Sequence, residues 1–263
     1  MPIPDVHAPH GTVHTWKDFA IHIATISVGL LIAVGLEQTI ELFHHRHERL
    51  QLEEDLQKEG VLNRGIVDRD VAYLDLVSAW IVNANQVVRV AKTAHGQSPM
   101  LYPDRHMKEA LRRHLLYFSP TLAVWNTAKE RGAIALLPQD EAQTYTRLYR
   151  ICDVILALDL EMRRASLARV GAQNQFSSTP GSPPDLTAMS SADFDRLSSV
   201  LMQEYANIAA VKSILIQYRA ANEAVLSGLR SEDGIAESIH RELSRIAGSA
   251  VSDTPSSPEA VPK

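Results

Sequence analysis

The sequence predicts an all-α protein in which an N-terminal transmembrane helix precedes an antiparallel helical bundle. Three observations carry that expectation. Residues 19–36 are an apolar run whose one ionisable side chain is His22. Beyond it, apolar residues recur at three- and four-residue intervals, the period of a helix with one buried face. Finally, no stretch alternates with period two between turn dipeptides, so no sheet is expected.

At 1.5 Å per residue, residues 19–36 span about 27 Å as a helix, close to the roughly 30 Å hydrocarbon core of a bilayer. Lys17 and Asp18 bound the run on one side and Glu37 on the other. A cleaved signal peptide is the rival reading, because Ala33-Val34-Gly35 fits the small-x-small cleavage pattern. The apolar stretch is longer than such a signal needs, and the leader carries only Lys17 as a basic residue. A retained anchor over 16–43 is expected. Residues 1–15, with three prolines and a glycine, read as a disordered tail in which His7, His10 and His14 have no common helix face.

The stretch that follows, 44–95, reads as a long juxtamembrane helix. Its early part mixes charges of both signs like a solvated, coiled-coil-like stalk. Gly60 and Gly65 bracket a weaker patch, and Val67, Val71, Leu74, Val77, Ile81, Ala84, Val88 and Ala91 then keep helical spacing. Residues 96–247 are expected to form the bundle. A loop over 96–104 leads to a helix over 105–118 that stops before Pro120.

A short helix holding Trp125 ends at Gly132, and Pro138 opens a long helix with Asp140 and Glu141 at its positive end. That helix carries Leu148, Ile151, Cys152, Ile155, Leu158, Leu160 and Met162. A Pro- and Ser-rich surface loop follows, then a helix capped by Ser191 and a last one over 231–246. Residues 248–263 read as a second disordered tail.

Composition bounds the function. The net charge of −5 gives no electrostatic reason to expect nucleic acid as a partner. The single Cys152 excludes an internal disulfide framework, and its apolar surroundings favour an inert buried thiol. No phosphate-binding glycine loop, nucleophile elbow or zinc-protease motif is present, so no catalytic residue and no cofactor is expected. Trp125 and Lys129 are candidates to line a pocket between helices.

Two polar or small-residue groups stand out. Glu41, His44, His45, His47 and Glu48 cluster beside the anchor. At i, i+4 they supply Glu41/His45 and His44/Glu48 pairs, two zinc-type ligands per helix face where a site needs three or four. An interfacial band of titrating side chains is the plainer reading. Glu41/His44 and Glu237/His240 form two Glu-x-x-His elements of the kind di-iron bundles use, but they lie at opposite ends of the chain. Within the anchor, Thr25, Gly29 and Ala33 stand four apart near His22, a stripe on which two membrane helices can approach closely and form a homodimer.

The segments Trp16-Lys17-Asp18-Phe19, Gly29-Leu30-Leu31-Ile32-Ala33-Val34-Gly35-Leu36-Glu37 and 125–138, with Trp125, Gly132 and Tyr149, resemble those of uncharacterised bacterial single-pass inner-membrane proteins. The resemblance covers the N-terminal third and the middle of the chain. It implies a bacterial inner-membrane location and brings no activity with it. Many such proteins carry a basic leader, absent here, and the resemblance favours an outward C-terminal domain; Arg46, Arg49 and Lys58, which follow the anchor, favour a cytoplasmic one, so the orientation stays open. The function class left standing is a membrane-anchored scaffold or adaptor for protein partners, with a tethered small-molecule, pH or metal sensor as the alternative.

Overall fold

The computed structural model describes residues 16–94, 120–179 and 184–252. They form five α-helices, here α1 (Trp16–Thr93), α2 (Ala123–Glu130), α3 (Gln139–Asn174), α4 (Ser191–Leu226) and α5 (Glu232–Ser252), with single 3-10 turns at Ala133–Leu136 and Leu186–Ala188. No strand occurs among the described residues; the nearest thing is an isolated bridge between Ser177 and Pro184. The fold is all-α, as the periodicity requires. The helix expected over 105–118, the loop before it and the tail at 1–15 lie outside the described residues.

The chain divides at Gln51/Leu52 into two units. In the first, the helix is solvent-facing throughout the apolar run: none of its most apolar eighteen-residue window is buried. By length and composition it is long and apolar enough to cross a membrane. A core helix of a soluble domain would bury such a window; among the described residues this one is exposed throughout.

In the second unit, residues 52–93 of α1 are part of the bundle core rather than a juxtamembrane segment outside it. Leu52, Leu56, Leu74, Ile81 and Val88 are buried there. The helix also passes unbroken through Gly60 and Gly65, where the sequence suggested a weak patch. Gly60 is there for close approach: a Cβ at that position would sit 3.0 Å from Asn222 Oδ1 and 3.2 Å from Leu226 Cδ2. The Gly60 carbonyl accepts a hydrogen bond from the Asn222 side-chain amide at 2.8 Å. The missing side chain thus lets α1 and α4 touch.

Cross-links between helices fix their directions. Along α1, Gly60, Asp75, Asn85 and Lys92 meet Asn222, Lys212, Ser198 and Asp195 of α4 in descending order, so these two helices are antiparallel. Ser166 and Arg169 of α3 meet Glu204 of α4, and Thr144 meets the Arg230 carbonyl beyond the end of α4, so α3 and α4 are antiparallel as well. Glu59 meets Tyr149 and Trp80 meets Arg169, which makes α1 and α3 parallel. Helix α5 folds back on α4, where Arg219 pairs with Glu242 at 2.6 Å.

Helix ends follow local chemistry with small shifts from expectation. Ser190, not Ser191, caps α4: its hydroxyl accepts from the Asp193 N–H while the Asp193 carboxylate accepts from the Ser190 N–H, a reciprocal capping box. Gly132 ends α2 in the left-handed region at φ 72°, which a side chain resists. The last helix extends to Ser252, past the expected start of a tail at 248, because no proline interrupts it before Pro255. The described ends of the Pro/Ser-rich connection are tied down: Leu186 and Met189 are buried, and the Asp185 N–H donates to the Phe176 carbonyl at 2.6 Å.

Candidate functional site

The most organised polar feature is a buried clamp where α1, α3 and α4 meet the start of α2. Glu59 and Asn63 lie four residues apart on the buried line of α1, where the flanking positions are Leu52, Leu56 and Val67. Polar groups in such a line must find partners, since burying one unpaired costs on the order of 1–3 kcal/mol. Both do. Asn63 is fully buried; its amide donates to the Thr121 carbonyl and the Tyr218 hydroxyl, each at 3.0 Å, and its oxygen accepts from the Thr121 N–H at 2.7 Å. Asn63 therefore reads Thr121 as a strand neighbour would.

Glu59 completes the hold. One carboxylate oxygen accepts from the Val124 N–H at 3.0 Å, and the other from the Tyr149 hydroxyl at 2.5 Å. Val124 is in the first turn of α2, whose own entry residue Leu122 supplies no side-chain cap. A carboxylate from a distant helix thus occupies the positive end of α2, where anionic groups are favoured. The indole of Trp125 lies flat on Tyr149, with ring centroids 4.9 Å apart, and tilts against Tyr145 at 6.5 Å.

Burial sets the protonation chemistry of this cluster. It drives the Tyr149 phenol far above its ordinary range, reinforced by the bond to Glu59. The Tyr218 phenol is likewise raised, chiefly by burial and then by the neighbouring Cys152. Burial pushes the Cys152 thiol up to about 12. All three groups are held protonated near neutrality, so the clamp supplies hydrogen-bond donors and no activated nucleophile.

A largely buried ion pair joins α3 to α4. Glu204, 1 % exposed, takes the Arg169 guanidinium and the Ser166 hydroxyl, while Arg169 also covers the Trp80 ring at 4.8 Å. Trp80 is thus a core aromatic with a cation on its face.

An open groove of about 570 Å³ lies between α1, α4 and α5, lined by Arg64, Asp68, Arg219, Glu223, Arg241 and Glu242 among others. Its guanidiniums are engaged: Arg64 with Glu223, Arg219 with Asp68 and Glu242, Arg241 with Glu237. The Arg245 and Arg219 guanidiniums hold the Glu242 carboxyl down at about 2.

The residues singled out from sequence fare differently. His44 faces Glu48 at 3.1 Å with both side chains exposed, and among the described residues no three His, Cys, Asp or Glu groups converge as a metal site. Glu237 pairs with Arg241 on the surface. Thr25, Gly29 and Ala33 are exposed, and the Thr25 hydroxyl bonds back to the Ile21 carbonyl at 2.9 Å. Trp125 is buried while Lys129 is exposed. Glu59, Asn63 and Tyr218 were missed. The signal for the first two was available: polar residues at i, i+4 inside an otherwise apolar helical stripe. Comparison with protein-family models, curated proteins and solved structures finds no match to this chain.

Proposed function

We propose that this chain is a single-pass helical scaffold or adaptor of a bacterial inner membrane, its bundle offering surfaces to protein partners. The observation that carries the reading is the eighteen-residue apolar window with no buried side chain, on a helix whose later residues belong to a folded bundle. Leaving such a surface in water is unfavourable at about 25 cal/mol per Å², and a bilayer removes that cost. The bacterial membrane comes from the resemblance of residues 16–37 and 125–138. The clamp supports a scaffold role because its polar side chains hold one helix to others, while Tyr149, Tyr218 and Cys152 keep their protons.

The test is fractionation followed by capture. The full-length protein should stay with membranes through high salt and alkaline carbonate and leave only with detergent. A soluble mature form beginning near Leu36 would show a cleaved signal instead. A protein partner that co-purifies in constant ratio from detergent-solubilised native membranes supports the scaffold reading; recovery of the bundle alone with a bound small molecule supports the sensor.

A further inference from the structure

Where α1 leaves the apolar run, it carries its two charge signs on different sides. Turning by about 100° per residue, Glu37, Glu41 and Glu48 fall within about 40° of one another. Thr25, Gly29, Ala33, Glu37 and Glu41 stand four apart, so the small-residue stripe runs on into this acidic line. His44 belongs to the same side, with its Nε2 at 3.1 Å from Glu48 Oε1. Arg46 and Arg49 centre about 130° away around the helix. His45 stands at the border, four residues after Glu41 and four before Arg49. All of these side chains are exposed except Arg49, which is partly covered.

We propose that Arg46 and Arg49 form a face that binds the phosphate groups of anionic lipids at the boundary where α1 leaves the bilayer. This rests on the membrane-anchored reading above. From Trp16 to Phe43 the helix rises about 40 Å, the thickness of a bilayer with its headgroup layers. Trp16 is of the type that settles at the membrane–water boundary, and Ile40, Leu42 and Phe43 carry the exposed apolar surface to the other boundary. Arg46 and Arg49 then start about 5 and 9 Å beyond Phe43. Long side chains on a helix lean towards its N-terminus, which here is the bilayer side. The Arg46 stem can lie beside Leu42 and Phe43, and both guanidiniums come back to the level of the lipid phosphates.

Guanidinium groups suit phosphate oxygens, to which they offer paired donors. A lipid surface supplies those oxygens better than free phosphate does. Two arginines on an exposed helix enclose nothing, whereas an anionic leaflet concentrates negative charge at their level. Glu37 and Glu41 oppose the same lipids from the other side of the helix. Anionic headgroups therefore favour the rotation that turns the arginines to lipid and the glutamates, with the stripe, away from it.

Spin-labelled lipids around the reconstituted full-length protein test this at about pH 8, where ordinary imidazoles are neutral. Labelled phosphatidylglycerol should be held at the protein boundary about threefold or more in preference to labelled phosphatidylcholine. Arg46→Gln with Arg49→Gln should bring that ratio to about one. Arg46→Lys with Arg49→Lys should keep most of it, because the charges stay. Inorganic phosphate, matched in ionic strength to a chloride control, should leave the preference unchanged. Loss of the preference to phosphate alone would mark a site for a soluble anion and overturn the lipid assignment. In a protein that stays in the membrane through carbonate, equal holding of both lipids, or a preference that survives the glutamine pair, overturns this proposal alone. A chain that carbonate strips from the membrane overturns the anchor reading with it.

Discussion

Trp125 lies on Tyr149 with ring planes 4° from parallel, and the hydroxyl of that same tyrosine donates to Glu59 on α1. Stack and hydrogen bond hold one short helix from two directions. Tyr149→Phe keeps the stack and deletes one donor to a buried carboxylate. It should cost about 2 kcal/mol, read as a lowered midpoint in urea with unchanged slope. Glu59→Leu paired with Tyr149→Phe should cost less than the sum of the two, since the partners are removed together. Strict additivity in that cycle would show the bond contributes nothing.

Gly60 and Gly171 make a matched pair. Helix propensity alone predicts that Gly→Ala stabilises by about 1 kcal/mol at either position. At Gly171 nothing lies within 4 Å of the new methyl, so the gain should appear. At Gly60 the methyl meets Asn222 and Leu226, and the net effect should be a loss of about 1–3 kcal/mol from overpacking. Thermal melts of the two variants should move in opposite directions.

Cys152 is 0 % exposed and its thiol is pushed up to about 12. Native protein at mildly alkaline pH should therefore resist iodoacetamide and react only at the rate of unfolding. Adding denaturant should restore ordinary thiol reactivity. Rapid labelling of the native state would mean that the bundle opens locally around α3.

Glu242 gives a pH signature. Arg245 and Arg219 depress its carboxyl to about 2, so the unfolded chain binds its proton more readily than the folded one. Its stabilisation is present above the ordinary glutamate range and is lost as pH falls through that range towards 2. Glu242→Gln should then lower the melting temperature near neutrality, with the gap to wild type narrowing below about pH 4. A gap independent of pH would assign the effect to packing.

Within the anchor, Gly29→Ile with Ala33→Ile tests the stripe through Thr25. If two copies pack there, the bulky pair should abolish dimer signal by energy transfer in bilayers. Unchanged association would place the contact elsewhere.

How far the sequence reached depended on what each residue had to satisfy. Helical periodicity depends on one face at a time, so Leu74, Ile81, Leu148 and Ile155 were legible as core. Leu160, which is exposed, was not, because periodicity cannot say which neighbour covers a stripe. Gly60 reads locally as a helix breaker, and only Asn222 and Leu226, distant in sequence, explain it. The resemblance marked Trp125, Gly132 and Tyr149 without a reason. The structure supplies one for the aromatics, a clamp whose other half, Glu59 and Asn63, sits among residues that look like a solvated helix.

The clamp also orders assembly in time. Its bonds join residues 58, 90 and 155 positions apart, whereas the Ser166–Glu204 contact between α3 and α4 spans only 38. Loop-closure entropy makes the shorter circuit form sooner. The α3–α4 hairpin is therefore expected to form before α1 docks on it. During synthesis the apolar stripe of α1 leaves the ribosome well before Tyr218 exists, and it must be shielded in the interval. Mutations in the hairpin should slow folding, whereas those at Glu59 or Asn63 should mainly hasten unfolding.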